Sequence, residues 1–74
     1  MKKGMCPRCQ SKEVYSGASI SGKSGLHQNN TIPITSFTTA VLDNFVCGQC
    51  GYVESYIAKE KDLARIKRKW PLVF

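Results

Sequence analysis

Two sets of residues in this 74-residue chain have the type and spacing to do chemistry. One is a pair of cysteine doublets, Cys6-Pro7-Arg8-Cys9 and Cys47-Gly48-Gln49-Cys50. The other is GASISGKS, Gly17 to Ser24, which meets every fixed position of the phosphate-loop pattern G-x-x-x-x-G-K-[ST]. The first set would hold a metal. The second would cradle phosphates on backbone N–H groups, with a lysine reaching them and a hydroxyl on magnesium.

Zinc takes four ligands in a tetrahedron, with thiolate sulfurs about 2.3 Å away. Two residues between cysteines allow a tight turn that aims both sulfurs at one point. Pro7 presets φ after Cys6, and Gly48 and Gly51 are able to take the positive φ that bends a chain round a metal. The expected ligands are therefore Cys6, Cys9, Cys47 and Cys50, on one structural ion. Zinc is the expected metal; iron in a rubredoxin-like site uses similar knuckles and is the alternative. Four cysteines also allow three disulfide pairings, and a C-x-x-C can be a thioredoxin-like dithiol. The first needs an oxidising compartment. The second needs a βαβ setting, which the pattern lacks.

The elements that must position these sulfurs are short. KEVYSGASI (12–20) and FTTAVLDNFV (37–46) suit strands, and SGKSGLHQNNTIPITS (21–36) between them reads as a long, exposed, mobile loop. GYVESYIA (51–58) alternates, which predicts a strand with Val53 and Ile57 toward the core and Tyr52 and Tyr56 away from it. In KEKDLARIKRKW (59–70), Leu63, Ile66 and Trp70 make one apolar stripe of a short helix. Asp62 near its start and Lys67, Arg68 and Lys69 near its end suit the helix dipole, and Pro71 ends it. The expected core is Val14, Ile20, Val41, Phe45, Val53, Ile57, Leu63 and Ile66.

CPRC near the start and FVCGQCGYVES beyond two intervening strands resemble the zinc ribbon over about residues 4 to 58. The Cys50-Gly51-Tyr52 step after the last ligand fits as well. The resemblance implies two knuckles, a three-stranded antiparallel sheet and the four cysteines as ligands. It also points to the company ribbons keep, in transcription factors, RNA polymerase subunits and ribosomal proteins. Gln10 departs from the pattern, since the first knuckle often has glycine there, and the loop is longer than in compact ribbons. The fold class expected is a small, mainly β, metal-stabilised domain. Residues 1–58 form the ribbon, and 59–74 a basic helix with an apolar tail on or beside it.

The phosphate-loop match lacks its context. Such a loop follows a parallel strand and opens a helix. Gly25, Asn29, Asn30 and Pro33 follow instead, and 74 residues leave no room for the crossover sheet. We read Gly17 to Ser24 as a match arising from glycine- and serine-rich composition, Lys23 as a solvated cation on the loop and His27 as an exposed loop residue.

With eleven Lys and Arg against five Asp and Glu, the formal charge of +6 favours a polyanionic partner. The expected nucleic-acid contacts are Lys61, Arg65, Lys67, Arg68 and Lys69 on the helix and Lys2, Lys3, Arg8 and Lys12 near the first knuckle. Tyr52 and Tyr56 would stack on unpaired bases. Packing of the two rings under the helix or loop is the alternative. WPLVF, Trp70 to Phe74, either folds back over the sheet or docks to a protein partner. Scattered acids, one histidine and four committed thiols favour a non-enzyme without a small-molecule substrate. No apolar run suggests a secretory leader or a membrane span, so a reducing, cytoplasmic setting is expected.

Overall fold

Nine residues of TAVLDNFVC make the frame on which everything else is hung. The computed structural model describes residues 1–73. In chain order it contains β1 (Val14–Ser16), a 3-10 turn at Leu26–Gln28, β2 (Thr31–Pro33), β3 (Thr39–Cys47), β4 (Val53–Ile57) and α1 (Glu60–Lys69). The β-branched and aromatic residues of β3 suit a pleated, half-covered surface. Three partners exploit its length, and all pair antiparallel.

The sheet thus has four strands, where a ribbon of three was expected. Val14, Tyr15 and Ser16 pair with Cys47, Val46 and Phe45. Thr31, Ile32 and Pro33 pair with Val41, Ala40 and Thr39. Backbone bonds alternate sides along a strand, and this settles which edge each partner uses. Leu42 N–H donates to Asn30 O, and Gly17 N–H donates to Asn44 O, on the edge shared by β1 and β2. Ala58 N–H donates to Val41 O on the other edge, which β4 occupies with Leu42 opposite Ile57 and Val46 opposite Val53.

Residues 17–30 bulge from the gap between β1 and β2, and they are pinned there. The Asn30 amide donates to Leu42 O and Lys23 O at 2.9 and 2.7 Å, and its oxygen accepts from the Asn44 amide at 2.7 Å. Lys23 Nζ donates to Ala18 O at 2.8 Å and to Asp43 Oδ1. The segment expected to be a mobile loop over 21–36 therefore carries a 3-10 turn, a strand and a set of side-chain ties.

The sheet is thinly covered. The molecule measures 37 × 35 × 17 Å, with a radius of gyration of 13.9 Å against about 11 Å for a compact domain of this length. Among the described residues only Cys6, Ile34, Ala40, Cys47 and Asp62 are buried. Of the eight expected core residues, Ile20, Val53 and Leu63 are exposed and the others are half-buried. The β4 side pattern is only partly the expected one: Tyr52, Glu54 and Tyr56 are half-buried and Val53 is 52% exposed, the reverse of the reading, while Ile57 is half-buried. The reason is the N-terminus, which crosses the tyrosine face. Its ammonium donates to Glu54 Oε1 at 3.1 Å, and Lys2 Nζ sits 4.1 Å over the Tyr56 ring.

Helix α1 ends where Pro71 requires, with Trp70 extended at φ −96°, ψ 143°. Its inward face is also not the expected one. Asp62 is buried and Ile66 half-buried, while Leu63 faces solvent. The helix leans on the β2–β3 turn, where the Trp70 indole N–H donates to Ile34 O at 3.0 Å. Beyond that anchor, Leu72 and Val73 are 91% and 90% exposed, so up to Val73 the tail does not close over the sheet. Phe74 lies outside the described residues. No described helix is long and apolar enough to cross a membrane.

Candidate functional site

Each cysteine doublet is a turn with the same backbone wiring. In the first, Cys6 N–H donates to Ser11 O and Gln10 N–H to Cys6 O. In the second, Cys47 N–H donates to Tyr52 O and Gly51 N–H to Cys47 O. The residue after each second cysteine takes positive φ: +80° at Gly51 and +64° at Gln10. Gln10 thus occupies the glycine position of its knuckle at a conformational cost of about 1–2 kcal/mol. Gly48 has a different reason for being glycine than the positive φ expected of it. A Cβ there would lie 2.6 Å from Tyr15 Cε2 and 2.8 Å from Glu13 Oε1, because Gly48 N–H donates to Glu13 O as β1 passes.

The strand β3 carries the second knuckle to the first. Cys6 Sγ lies 3.7 Å from Cys50 Sγ and Cys9 Sγ 3.6 Å from Cys47 Sγ, with all four sulfurs within 4.8 Å of one another. A tetrahedron with metal–sulfur bonds of about 2.3 Å has edges of about 3.8 Å. A disulfide would need about 2.05 Å. The four cysteines therefore cluster at metal-binding distance, in an arrangement compatible with a zinc-ribbon-like, metal-stabilised domain, and they are free thiols.

The electrostatics suit a cation. A backbone N–H from Cys50, then burial opposing it and a further N–H from Gln49, set the Cys47 thiol at about 6. Burial raises the Cys6 thiol, but backbone N–H groups of Cys9 and Arg8 and the adjacent sulfurs outweigh it, and it too is lowered. At Cys9 a backbone hydrogen bond with Ser11 pulls down, while burial and the sulfurs of Cys50, Cys47 and Cys6 push the thiol up to about 12. Four thiolates this close repel one another unless a positive charge sits between them. A tetrahedral ion held by all four sulfurs would have no fifth ligand from the protein to find.

The expected nucleic-acid residues do not form one surface. Tyr52 and Tyr56 both donate to Glu54, at 3.3 and 2.7 Å, and Tyr56 packs edge-on against Phe45 with centroids 5.6 Å apart. They are tied down on the sheet, as in the packed alternative, rather than presented for stacking. Lys2 is turned over Tyr56; Lys3, Arg8 and Lys12 are exposed. On the helix, at 100° per residue, Lys61, Arg65, Arg68 and Lys69 fall within an arc of about 100°, and Lys67 falls on the opposite side. Arg65, Arg68 and Lys69 line a common hollow with Ile34, Thr35 and Thr38.

That hollow brings in Ile34, Thr35 and Thr38, which sequence reasoning missed, as it missed the exposure of Phe37 on the same turn. The strand read over 37–46 begins only at Thr39, so Phe37 is left on the β2–β3 turn, 96% exposed. The available clue was a lone aromatic within the hydroxyl-rich run TSFTT.

The phosphate-loop-like segment has a different setting from a working one. The strand before it, β1, is antiparallel to β3, a three-residue 3-10 turn follows, and Lys23 is spent on Asp43. Lys23 is half-buried there, not a solvated loop cation. His27 is exposed, at φ 59°.

A scan against protein-family models, a search of curated proteins and a search of solved structures each find no match to this chain.

Proposed function

We propose that this protein is a non-enzymatic module in which one structural zinc ion, held by Cys6, Cys9, Cys47 and Cys50, braces a small sheet that binds nucleic acid or a nucleoprotein assembly. The convergence of four sulfurs at tetrahedral spacing carries the zinc reading. When bound, zinc supplies a redox-inert cross-link between the two knuckles, at the end of the sheet where β1 begins and β3 finishes, and the closed sulfur shell supports a role without catalysis.

The distribution of charge supports the nucleic-acid reading. Three of the five acids are consumed inside the fold: Glu54 by the N-terminus, Asp43 by Lys23, and Asp62 by Arg65. The remaining cations, Lys2, Lys3, Arg8, Lys12, Lys59, Lys61, Lys67, Arg68 and Lys69, are exposed, and among the described residues none is ion-paired. The +6 formal charge is therefore presented outward.

The test is a salt titration of nucleic-acid affinity with the zinc-loaded protein. If about four phosphates of a duplex are neutralised, log K falls against log salt with a slope near −0.9 times four, roughly −3.6. Affinity that ignores salt refutes the reading, and so does metal analysis showing no zinc in protein purified without chelators.

A second reading has its own observation. Leu72 and Val73 are almost wholly exposed beside the anchored Trp70, as a docking tail would be. Deleting residues 72–74 leaves the fold intact and abolishes binding of a protein partner if that reading holds. A chain that unfolds on deletion places the tail in the structural support instead.

A further inference from the structure

We propose that the hollow between α1 and the β2–β3 turn seats a backbone phosphate of a single-stranded polynucleotide, and that Phe37 is the platform on which an adjacent base stacks. The inference rests on the nucleic-acid reading above and assigns it a place.

The hollow has a volume of about 340 Å³ and is lined by Ile34, Thr35, Thr38, Arg65, Arg68 and Lys69. That is the low end of ligand pockets, room for a phosphate and part of its sugar more than for a whole nucleotide. Three cationic residues and two hydroxyl-bearing ones are among those that line it. Arg65 gives one arm of its guanidinium to Asp62 at 3.3 Å, which holds the group in place and leaves further N–H donors for a ligand. Among the described residues Arg68 and Lys69 have no ion-pair partner. Counting the Asp62 carboxylate, the wall still carries two net positive charges. Thr35 and Thr38 share one hydrogen bond between their hydroxyls at 2.8 Å, so one hydroxyl hydrogen stays free to donate to an oxyanion.

The turn is built to hold its shape. Ile34 N–H and Thr35 N–H both donate to Thr38 O, at 2.8 and 3.2 Å, and Phe37 N–H donates to Thr35 Oγ1 at 3.3 Å. Trp70 clamps it from the helix side through Ile34 O. Phe37 projects from this braced turn, 96% exposed, between Ser36 and Thr38. Its ring offers a π-face, and any base can stack on that. Bases inside a duplex are already stacked, so the platform selects unpaired ones.

The experiment uses the zinc-loaded full chain and fluorescence anisotropy with short labelled oligouridylate, oligothymidylate and a duplex of equal length. Phe37→Ala is expected to weaken single-strand binding about 5- to 150-fold, and Phe37→Trp to retain it. Arg68→Ala with Lys69→Ala should flatten the single-strand salt slope by about 0.7, the share of the one phosphate seated there. All three side chains are exposed, and zinc content with an unchanged melting curve certifies each variant as folded. Equal affinity for RNA and DNA, or a preference for either, fits the shared phosphate-and-base chemistry and identifies the source. If Lys3→Ala with Lys12→Ala abolishes binding while the Phe37 and Arg68/Lys69 variants bind like the parent, the site is overturned and the nucleic-acid reading stands. Duplex bound as tightly as single strand also overturns it. If the parent chain binds no oligonucleotide but binds polyglutamate, both readings fall and an acidic protein partner replaces them.

Discussion

Removing the metal should unfold this chain, and the structure says by what margin. A compact monomer of 8.2 kDa exposes about 4,500 Å² by the usual surface scaling, whereas this one exposes 5840 Å². The excess is about 1,300 Å². With a little over half of it apolar, at about 25 cal/mol per Å², the missing hydrophobic stabilisation is on the order of 20 kcal/mol. Structural zinc contributes about 10–16 kcal/mol in small domains, the same order as the deficit. Two of the five buried residues, Cys6 and Cys47, are candidate sulfur ligands, so what core there is depends on the proposed ion to hold them together. Either a strong chelator or Cys47→Ser is the perturbation; the serine keeps the volume and deletes a ligand at the junction of β1, β3 and the second knuckle. Near-UV circular dichroism, thermal melting and a chromophoric zinc-release assay follow the outcome together. The zinc-loaded parent should melt cooperatively, while the apo chain and the variant should show neither a fixed aromatic signal nor a cooperative transition. An apo chain that keeps the parent's melting curve would show that the thin sheet suffices by itself, and the reasoning from exposed area would be wrong.

Glu54 is the polar keystone of the tyrosine face. Its carboxyl is held below the ordinary range, first by the Tyr56 hydroxyl and then by the N-terminal ammonium, so this stability is present above the usual carboxylate pKa and is lost as pH falls. Tyr56 and Tyr52 are both raised above 10, the first mainly by donating to Glu54 and the second mainly by its charge; their share persists below pH 10 and is lost on titrating above it. Ultraviolet titration of tyrosinate should therefore show a late transition that Glu54→Gln moves back toward 10, and an unmoved curve refutes the network. Gln10→Gly relieves the left-handed backbone of the first knuckle and, after glycine's added chain entropy, should stabilise by up to about 1 kcal/mol in a zinc-saturated melt; a net loss would mean that the Gln10 side chain matters. Gly48→Ala must displace the Tyr15 ring and Glu13, with an expected cost of about 1–3 kcal/mol by the same measurement, and a neutral result refutes the close approach. Asn30→Ala strips two carbonyls and the Asn44 amide of partners, and should cost about 1–3 kcal/mol and speed amide exchange at Leu42; unchanged protection there refutes the pinning of the loop.

The cysteine doublets were legible because they are local: C-x-x-C with turn residues brings two sulfurs to one point without help from the rest of the chain. The end of α1 at Pro71 was legible for the same reason, since a proline constrains its own neighbour. The alternation in GYVESYIA likewise placed β4. Its covered side was not legible, because period two says that faces differ and not which one meets a partner. The N-terminal ammonium, 53 residues away, chose the tyrosine side by reaching Glu54. Nothing in KEKDLARIKRK shows that Asp62 goes inward and Leu63 outward, for that follows from where the β2–β3 turn meets the helix. The fourth strand was hidden because Thr31 and Ile32, though β-branched, stand between Asn30 and Pro33 in a run rich in turn residues; β3 had spare edge to offer beyond β1, and Asn30 filled the gap. Spacing along the chain thus determined the two cysteine turns and the end of α1, whereas pairing between distant segments brought the four sulfurs together and decided which faces are covered, which cations stand together and which aromatic ring is left exposed.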